Sequence, residues 1–415
     1  MENSTATHRA GKLWNRTFVL TMLISGLSSL SNGMLAPALP IYVETLGRGT
    51  EIAGTIVAIA TFLSMFGRGL SGGWSDKVSR KMILLVCLAC STAAFTLFCF
   101  ADNLPLLLLA KCLQGVSSGI IITVLCTIAY DTLPSELLGS GIGIFALAGA
   151  LAQCISPTIG TALAKRGLYT VMFLASATAA ALCFLILLTI PVELTAKAKA
   201  WQAEKRAGTA VRRGFHLSDY LCRPAFPAAF LLVMNGIIYA SIANFLAHCG
   251  LSRGIESVAL FFTINSVVLI VVRPVCGRIS DRMHIGWLII PGYLSMGLAC
   301  MLIAFAQSML PIVIAALCYG FGHGATMSNS QLWAIRSVGP EQRSTANSTY
   351  YVGGDVGLAL GAYLAGALAA AVNYTVMYLM IAGVCVFSML WFIGYTLLKG
   401  KRARGMTPEI WTDRK

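Results

Sequence analysis

Twelve apolar stretches, each long enough to cross a lipid bilayer, constrain this chain more than any other feature of its sequence. A membrane-spanning helix needs about 20 predominantly apolar residues. The predicted spans are 17–40, 52–72, 82–101, 105–130, 139–163, 169–191, 224–247, 256–276, 287–306, 310–335, 345–369 and 373–397. The sequence therefore predicts an all-α membrane protein with 12 transmembrane helices.

The composition agrees with a polytopic membrane protein. The mean hydropathy is +0.78, and 11% of the residues are charged, against about 25% in a typical soluble domain. The 13 cysteines lie almost entirely within spans, where they behave as small apolar residues and not as a disulfide framework. Cys87 and Cys90 form a C-x-x-C pair without a second pair or a nearby histidine, so we predict no metal site and no cofactor.

The distribution of positive charge predicts the orientation. Of the 30 Lys and Arg residues, 25 fall in the segments and adjoining helix ends that are cytoplasmic if the N-terminus is inside. The other side holds Arg48, Lys165, Arg166 and Arg253, and Lys111 lies within a span. By the positive-inside rule, both termini are cytoplasmic in the cell membrane. We expect the basic segments 206–213 and 401–404 to contact anionic lipids. No aromatic interleaving or binding motif accompanies them, so we expect no nucleic-acid partner.

A repeat divides the chain into two halves. Arg68, Gly72 and Asp76 recur 205 residues later as Arg273, Gly277 and Asp281, and LGRGTE at 46–51 recurs as LSRGIE at 251–256. Parallel repeats with a substrate site between them are a common transporter plan. We predict two pseudo-symmetric six-helix bundles, 17–191 and 224–398. Cytoplasmic segments flank and join them: an N-terminal tail 1–16, a linker 192–223 and a basic tail 399–415.

Four segments resemble signatures of the major facilitator superfamily (MFS). GGWSDKVSRK (72–81) resembles its loop 2–3 signature, with Ser79 in place of the usual Gly, and LLLLAKCLQGVSSGI (106–120) resembles its span-four signature, with Lys111 in place of Arg. AQCISPTIGT (152–161) keeps only Pro157 and Gly160 of the span-five motif of drug antiporters. TANSTYYVGGDVGLALG (345–361) is similar to span eleven of bacterial efflux members. The resemblance implies the MFS fold and secondary transport.

The resemblance also implies a conformational latch at the cytoplasmic ends of the spans. An aspartate at the position of Asp76 would face the inner end of span eleven, and pseudo-symmetry would place Asp281 against span five. A carboxylate at a helix N-terminus is stabilising by about 0.3–1 kcal/mol. The alternative is a loop that only sets topology. The predicted latch residues are Arg68, Gly72, Asp76, Arg80, Arg273, Gly277 and Asp281.

Three polar residues within the spans are candidates for proton coupling, because charges in the hydrocarbon are costly and need a partner or a function. Asp355 lies near the middle of span eleven, where it could load and release a proton. Alternatively, it is a structural carboxylate on a glycine-rich helix. Lys111 could bind an anionic group or take part in proton transfer, or it could extend to the interface along its aliphatic stem. His323 in span ten could titrate near neutral pH, or it could be a packed, hydrogen-bonded residue.

Amide and phenol side chains on spans 1, 4, 7, 8, 10 and 11 are the candidates for the substrate cavity. In an apolar pocket such groups fix the orientation of a ligand. The alternative role is hydrogen bonding between helices. The candidates are Asn32, Gln114, Asn235, Tyr239, Asn244, Asn265, Asn329, Tyr350 and Tyr351. Because no dense cluster of acids or bases accompanies them, the set favours a neutral or amphipathic small molecule.

The leading interpretation is a monomeric secondary transporter that exports a small organic compound by proton antiport. An MFS importer of a sugar or an organic acid is the alternative. H-E-x-x-H and Walker motifs are absent, so we expect neither an enzyme nor an ATP-driven pump. A membrane sensor is disfavoured because no output domain is appended to the spans.

Overall fold

The structure is a computed structural model that describes residues 13–46, 50–190, 220–255, 258 and 260–403. Over these ranges the chain is helical and has no β-strand. Twelve long helices are numbered here in chain order: α1 Arg16–Thr45, α2 Thr50–Lys77, α3 Arg80–Phe98, α4 Leu104–Asp131, α5 Leu138–Lys165, α6 Tyr169–Leu188, α7 Phe226–Ser252, α8 Leu260–Arg282, α9 Gly286–Ala304, α10 Met309–Arg336, α11 Arg343–Ala371 and α12 Tyr374–Ala403. Each contains a segment long and apolar enough to span a membrane. The predicted all-α fold with 12 transmembrane helices is confirmed.

Several helices are longer than the apolar stretches that predicted them. The stretches 52–72 and 256–276 correspond to Thr50–Lys77 and Leu260–Arg282. Hydropathy detects only the part of a helix that crosses the hydrocarbon, whereas the helical hydrogen bonds continue into polar residues beyond it. Both extensions lie at the end of the bundle that holds the α2–α3, α4–α5, α8–α9 and α10–α11 connections. We call this end the basic end.

The helices of the two halves correspond in order, and some pairs also correspond in length and in position along the repeat. Helices α4 and α10 both have 28 residues and begin 205 residues apart. A short 3₁₀ turn precedes α5 at Ser135–Leu137, and another precedes α11 at Pro340–Gln342. The similarity therefore extends to the connections. The linker 192–223 lies outside the described residues up to position 219, as do residues 1–12 and 404–415 of the two tails.

The two halves meet chiefly through two helix pairs, α2 with α11 and α5 with α8. Glycines allow close approach in both pairs. A Cβ atom on Gly72 would lie 3.0 Å from the Cα atom of Thr345, and a Cβ atom on Gly277 would lie 3.0 Å from the Cα atom of Ser140. Since Thr345 and Ser140 are also 205 residues apart, the two contacts are pseudo-symmetric counterparts. Small residues at helix contacts are typical of membrane bundles, where close packing drives association.

Candidate functional site

A central cavity lies between the two halves, with a volume of about 350 Å³. Its apolar wall includes Leu232, Met327 and Leu358. A second cavity of about 200 Å³ adjoins it and shares Gln153, Arg273, Met327 and Tyr351 with it. The polar and charged side chains of the central cavity are Arg68, Gln153, Asn235, Arg273, His323 and Asp355, together with the phenols of Tyr239 and Tyr351.

An ion pair crosses the cavity from one half to the other. Nη1 of Arg68 on α2 donates to Oδ1 of Asp355 on α11 at 3.0 Å, and the two side chains are only 16% and 11% exposed. The guanidinium carbon of Arg68 lies 5.4 Å from the ring centre of Tyr351, a cation–π distance. Arg68 was predicted as a latch residue, but the structure places it in the cavity. It lies about two turns from the end of α2, so its side chain reaches the cavity instead of the basic end.

Arg273, also a predicted latch residue, occupies the corresponding position on α8 and likewise lines the cavity. Its Nη1 donates to the carbonyl oxygen of Ala146 at 2.8 Å, and its Nη2 donates to the sulfur of Met327 at 3.7 Å. Its Nε is buried and has no hydrogen-bond partner among the described residues. A thioether is a weak acceptor. Among the described residues, the Ala146 carbonyl is therefore the one strong acceptor for a side chain that has five N–H donors.

His323 lies in an aromatic stack on the wall of the cavity. Its ring centre is 5.8 Å from that of Tyr239 and 5.4 Å from that of Tyr319, with interplanar angles of 25° and 13°. The imidazole is buried, and its Nδ1 has no hydrogen-bond partner among the described residues. The side chain is therefore packed, which is one of the two roles considered for His323, and it also lines the cavity.

Asn235 is the only amide among the predicted cavity residues that lines the central cavity. Its Nδ2 donates to the hydroxyl of Tyr293 at 2.9 Å, and its Oδ1 accepts from the hydroxyl of Thr326 at 3.0 Å. These bonds join α7 to α9 and α10. Asn235 therefore connects helices and borders the site at the same time.

Lys111, Gln114 and Asn32 form a separate hydrogen-bonded chain in the first half. The Lys111 amine donates to Oε1 of Gln114 at 2.8 Å, and Gln114 donates to Asn32. Asn32 in turn donates to the carbonyl of Ser28 at 2.7 Å. The ammonium group therefore points one turn deeper along α4 instead of extending to the interface. None of the three lines either cavity.

Of the other predicted cavity residues, Tyr239 and Tyr351 line the central cavity, whereas Asn244, Asn265, Asn329 and Tyr350 do not. Asn244 is exposed, and Asn265 is buried with its Oδ1 unpaired among the described residues. Asn329 is buried and accepts from Ser280. Tyr350 is buried and bonds to Ser330, whereas its neighbour Tyr351 reaches both cavities. A helix turns by about 100° per residue, so a polar residue type alone does not show which side of the helix faces the cavity.

The basic end holds the contacts that were predicted for a latch. Oδ1 and Oδ2 of Asp281 accept from the backbone N–H groups of Gly139 and Ser140 at 2.7 and 2.9 Å. This is the predicted contact between Asp281 and span five, and Gly277 lies directly above it. Gly72 packs against Ser348 and Thr345 of α11. The backbone of Asp76 belongs to the last turn of α2, but its side chain lies outside the described part of the structure.

Arg80 is a further predicted latch residue at the basic end. It pairs with Asp131 at the end of α4, within the first half, and Asp131 also pairs with Arg343 of α11 at 3.2 Å. Asp131 is thus a further link between the halves that sequence reasoning missed. The only available signal was its position at the end of an apolar stretch, which it shares with many topology-setting residues.

Two cavity glutamines were also missed. Gln153 is exposed to both cavities, and Gln331 lines the smaller one, where its Nε2 donates to the hydroxyl of Tyr351 at 3.0 Å. Both are amides within predicted spans, so the rule that selected Asn32 and Gln114 could have found them. The omission of Gln153 left span five without any predicted cavity residue.

Comparisons with known proteins agree with this architecture. The sequence profile of the Major Facilitator Superfamily matches residues 21–341 and 256–410. The multidrug resistance protein MdtG of Citrobacter koseri is 21% identical over 391 residues, which cover 91% of this chain and 94% of that protein. MdtG of Klebsiella pneumoniae is 22% identical over 391 residues, covering 91% and 93%.

Two solved structures share the fold. The human organic anion transporter MFSD10 superposes with a TM-score of 0.71 at 17% identity, covering 91% of this chain and 98% of that one. The fucose:proton symporter FucP of E. coli superposes with a TM-score of 0.71 at 15% identity, covering 90% and 97%. At these identities the likeness concerns the fold alone. With the profile match over most of its length and twelve spans around a central cavity, the chain belongs to the Major Facilitator Superfamily and is a multi-pass membrane transporter.

Proposed function

We propose that this protein exports a small organic compound in exchange for protons, by alternating access at the central cavity. The observation that carries the proposal is the Arg68–Asp355 ion pair, which joins the two halves and lines the cavity at once. An acid in this position can respond to protons, to substrate and to the relative position of the halves. The name of the MdtG relatives, multidrug resistance protein, supports export.

The conformation has a closed basic end. Among the described residues, each hydrogen bond between the halves lies between the middle of the spans and this end, as in the pairs Asp281–Gly139, Arg343–Asp131 and Ser348–Arg68. The positive-inside rule favours the basic end as the cytoplasmic side of the inner membrane. In that orientation both termini are cytoplasmic, and the closed state is the outward-facing one. We expect a monomer whose basic end contacts anionic lipids.

Protonation of Asp355 would be the coupling step. The charged carboxylate holds Arg68 across the boundary between the halves, and this pair stabilises the closed basic end. Adding a proton removes the charge of Asp355, so the attraction is lost and the equilibrium shifts towards opening at the basic end. When Asp355 then faces the cytoplasm, where the proton concentration is lower, it releases the proton. One proton thus moves inward for each cycle.

The first experiment is a substrate screen with cells that do or do not express the protein, each with and without a protonophore. We expect expression to lower the accumulation of at least one amphipathic compound, and the protonophore to abolish the difference. A compound whose accumulation increases with expression would support the importer alternative. Counterflow in proteoliposomes then gives the direction independently of cell physiology.

The second experiment tests the coupling residue in proteoliposomes loaded with that compound. Asp355→Asn mimics the protonated acid, so we expect exchange of labelled for unlabelled compound to continue while accumulation driven by a pH gradient is lost. Glu341→Gln is the matched control, because Glu341 is an exposed acid at the start of the same helix region. Full gradient-driven accumulation by Asp355→Asn would contradict the coupling role.

A further inference from the structure

The pseudo-symmetry of the two halves is broken at the cavity. Arg68 and Arg273 are equivalent, being 205 residues apart. Arg68 has two partners on α11, the carboxylate of Asp355 and the ring of Tyr351. The residues of α5 that correspond to Asp355 and Tyr351 at the same offset are Ala150 and Ala146. At the two positions where α11 supplies Arg68 with an acid and a phenol, α5 therefore carries alanines.

The local geometry supports this equivalence. Ser348 packs against the backbone of Arg68, donating to its carbonyl at 2.6 Å. Its counterpart Gly143 lies directly against the carbonyl of Arg273. One turn nearer the basic end, the contact of Gly72 with Thr345 corresponds in the same way to that of Gly277 with Ser140. The two helix pairs thus have the same packing, and what differs is the side chains that surround each guanidinium.

Because α5 has alanines at these two positions, the guanidinium of Arg273 borders the cavity without a counter-charge among the described residues. None of the ion pairs among the described residues includes Arg273. Its protein acceptors are the Ala146 carbonyl and the Met327 sulfur, and its Nε is unpaired. Both cavities border it, and the small residues Ala146 and Gly149 form the facing wall of the smaller one. A guanidinium in such a place is suited to a carboxylate, which it can bind through two parallel hydrogen bonds.

The rest of the cavity indicates what else the ligand carries. The Tyr239–His323 stack offers an aromatic surface, and Leu232 and Leu358 add an aliphatic one. Arg68 is already neutralised by Asp355. One unpaired cation beside an apolar surface is complementary to a singly charged anion with a flat apolar body.

We propose that Arg273 binds the carboxylate of an organic monoanion whose aromatic body lies against the Tyr239–His323 stack. The ligand supplies the charge that Asp355 supplies to Arg68, and so completes the pseudo-symmetric pair. The proposal deepens the proposed function, on which it rests, by naming the substrate class. Of the neutral or amphipathic molecules favoured by the sequence, it selects an amphipathic anion.

The test measures binding alone, so it requires neither export nor proton coupling. Full-length protein in lipid nanodiscs is titrated calorimetrically with 1-naphthaleneacetate, and separately with 1-naphthaleneacetamide, its uncharged analogue. We expect the wild type to bind the carboxylate at least tenfold more tightly than the amide. In Arg273→Gln this preference should disappear, and Arg273→Lys, which keeps the charge without the planar fork, should recover part of it.

Arg278→Gln is the matched control, since Arg278 is an exposed cation on the same helix at the basic end. It should retain the wild-type preference. Equal binding of the two compounds by the wild type, binding of neither, or a preference that survives in Arg273→Gln would each overturn the proposal. If Arg273→Gln does not fold, the wild-type ratio and Arg273→Lys decide the question. Anion binding without export would instead contradict the proposed function and support this inference.

Discussion

The carboxylate of Asp281 at the end of α8 accepts hydrogen bonds from the first turn of α5, from Gly139 N–H at 2.7 Å and from Ser140 N–H at 2.9 Å. The contact joins the second half of the protein to the first. It also places a negative charge at the positive end of a helix dipole. Both effects exist only while the basic end is closed.

Asp281→Asn should therefore loosen the basic end. An amide is a weaker acceptor than a carboxylate, and hydrogen bonds to charged groups contribute about 1.5–3 kcal/mol. We expect the backbone amides at 139–141 to exchange with deuterium about tenfold faster or more, as measured by mass spectrometry. Glu341→Gln, which removes an exposed acid from the same end, should leave these amides unchanged. Unaltered protection in Asp281→Asn would mean that the contact does not stabilise the closed state.

Gly277→Ala should open the same interface by steric means. The new Cβ would lie 3.0 Å from the Cα of Ser140 and closer still to the carbonyl oxygen of Gly139, so backbone would have to move. Overpacking of this kind costs about 1–3 kcal/mol. We expect faster deuterium exchange in both α5 and α8 and slower transport. Gly383→Ala is the control, because nothing lies within 4 Å of its Cβ position. Normal exchange and transport in Gly277→Ala would show that the interface tolerates a wider separation.

The Arg68–Asp355 pair should show strong coupling in a double-mutant cycle. Removing one partner of a buried pair leaves an uncompensated charge, at a cost of about 3–5 kcal/mol when burial is complete. With side chains 16% and 11% exposed, each single variant, Arg68→Gln or Asp355→Asn, should lower the Tm of the purified protein. The double variant should be more stable than Arg68→Gln alone. Additive losses across the cycle would mean that the two charges do not interact.

The link between Asp131 and Arg343 should depend on salt. At 3.2 Å, with side chains 26% and 15% exposed, this pair lies near the surface, where a pair contributes about 0.2–1 kcal/mol. Arg343→Gln should accelerate exchange at the start of α11 by at most about fivefold in 50 mM salt. In 500 mM salt, where the Debye length is about 4–5 Å, the wild type and the variant should become similar. A difference that persists unchanged at high salt would indicate packing by the Arg343 side chain in place of charge.

The fold could be predicted from the sequence because its two signals can be read along the chain, without knowing which residues meet in space. Twenty apolar residues specify a span wherever they occur, and the recurrence of Arg68, Gly72 and Asp76 as Arg273, Gly277 and Asp281 marks the repeat. The contact of Asp281 with the start of α5 was expected from the family resemblance combined with the same repeat. Asp355 was recognised because a carboxylate in mid-membrane is rare and costly.

What only the tertiary structure decided is which polar groups face each other across the boundary between the halves. Arg68 and Asp355 are separated by 287 residues, and neither sequence neighbourhood points to the other. The repeat made Arg68 and Arg273 look alike, and both were assigned to the latch. The structure places both in the cavity, one paired with an acid and the other facing Ala146 and Gly149. The physical reason is that the spacing within a helix determines its own surface, whereas the charge balance of a cavity depends on the side chains of every helix around it.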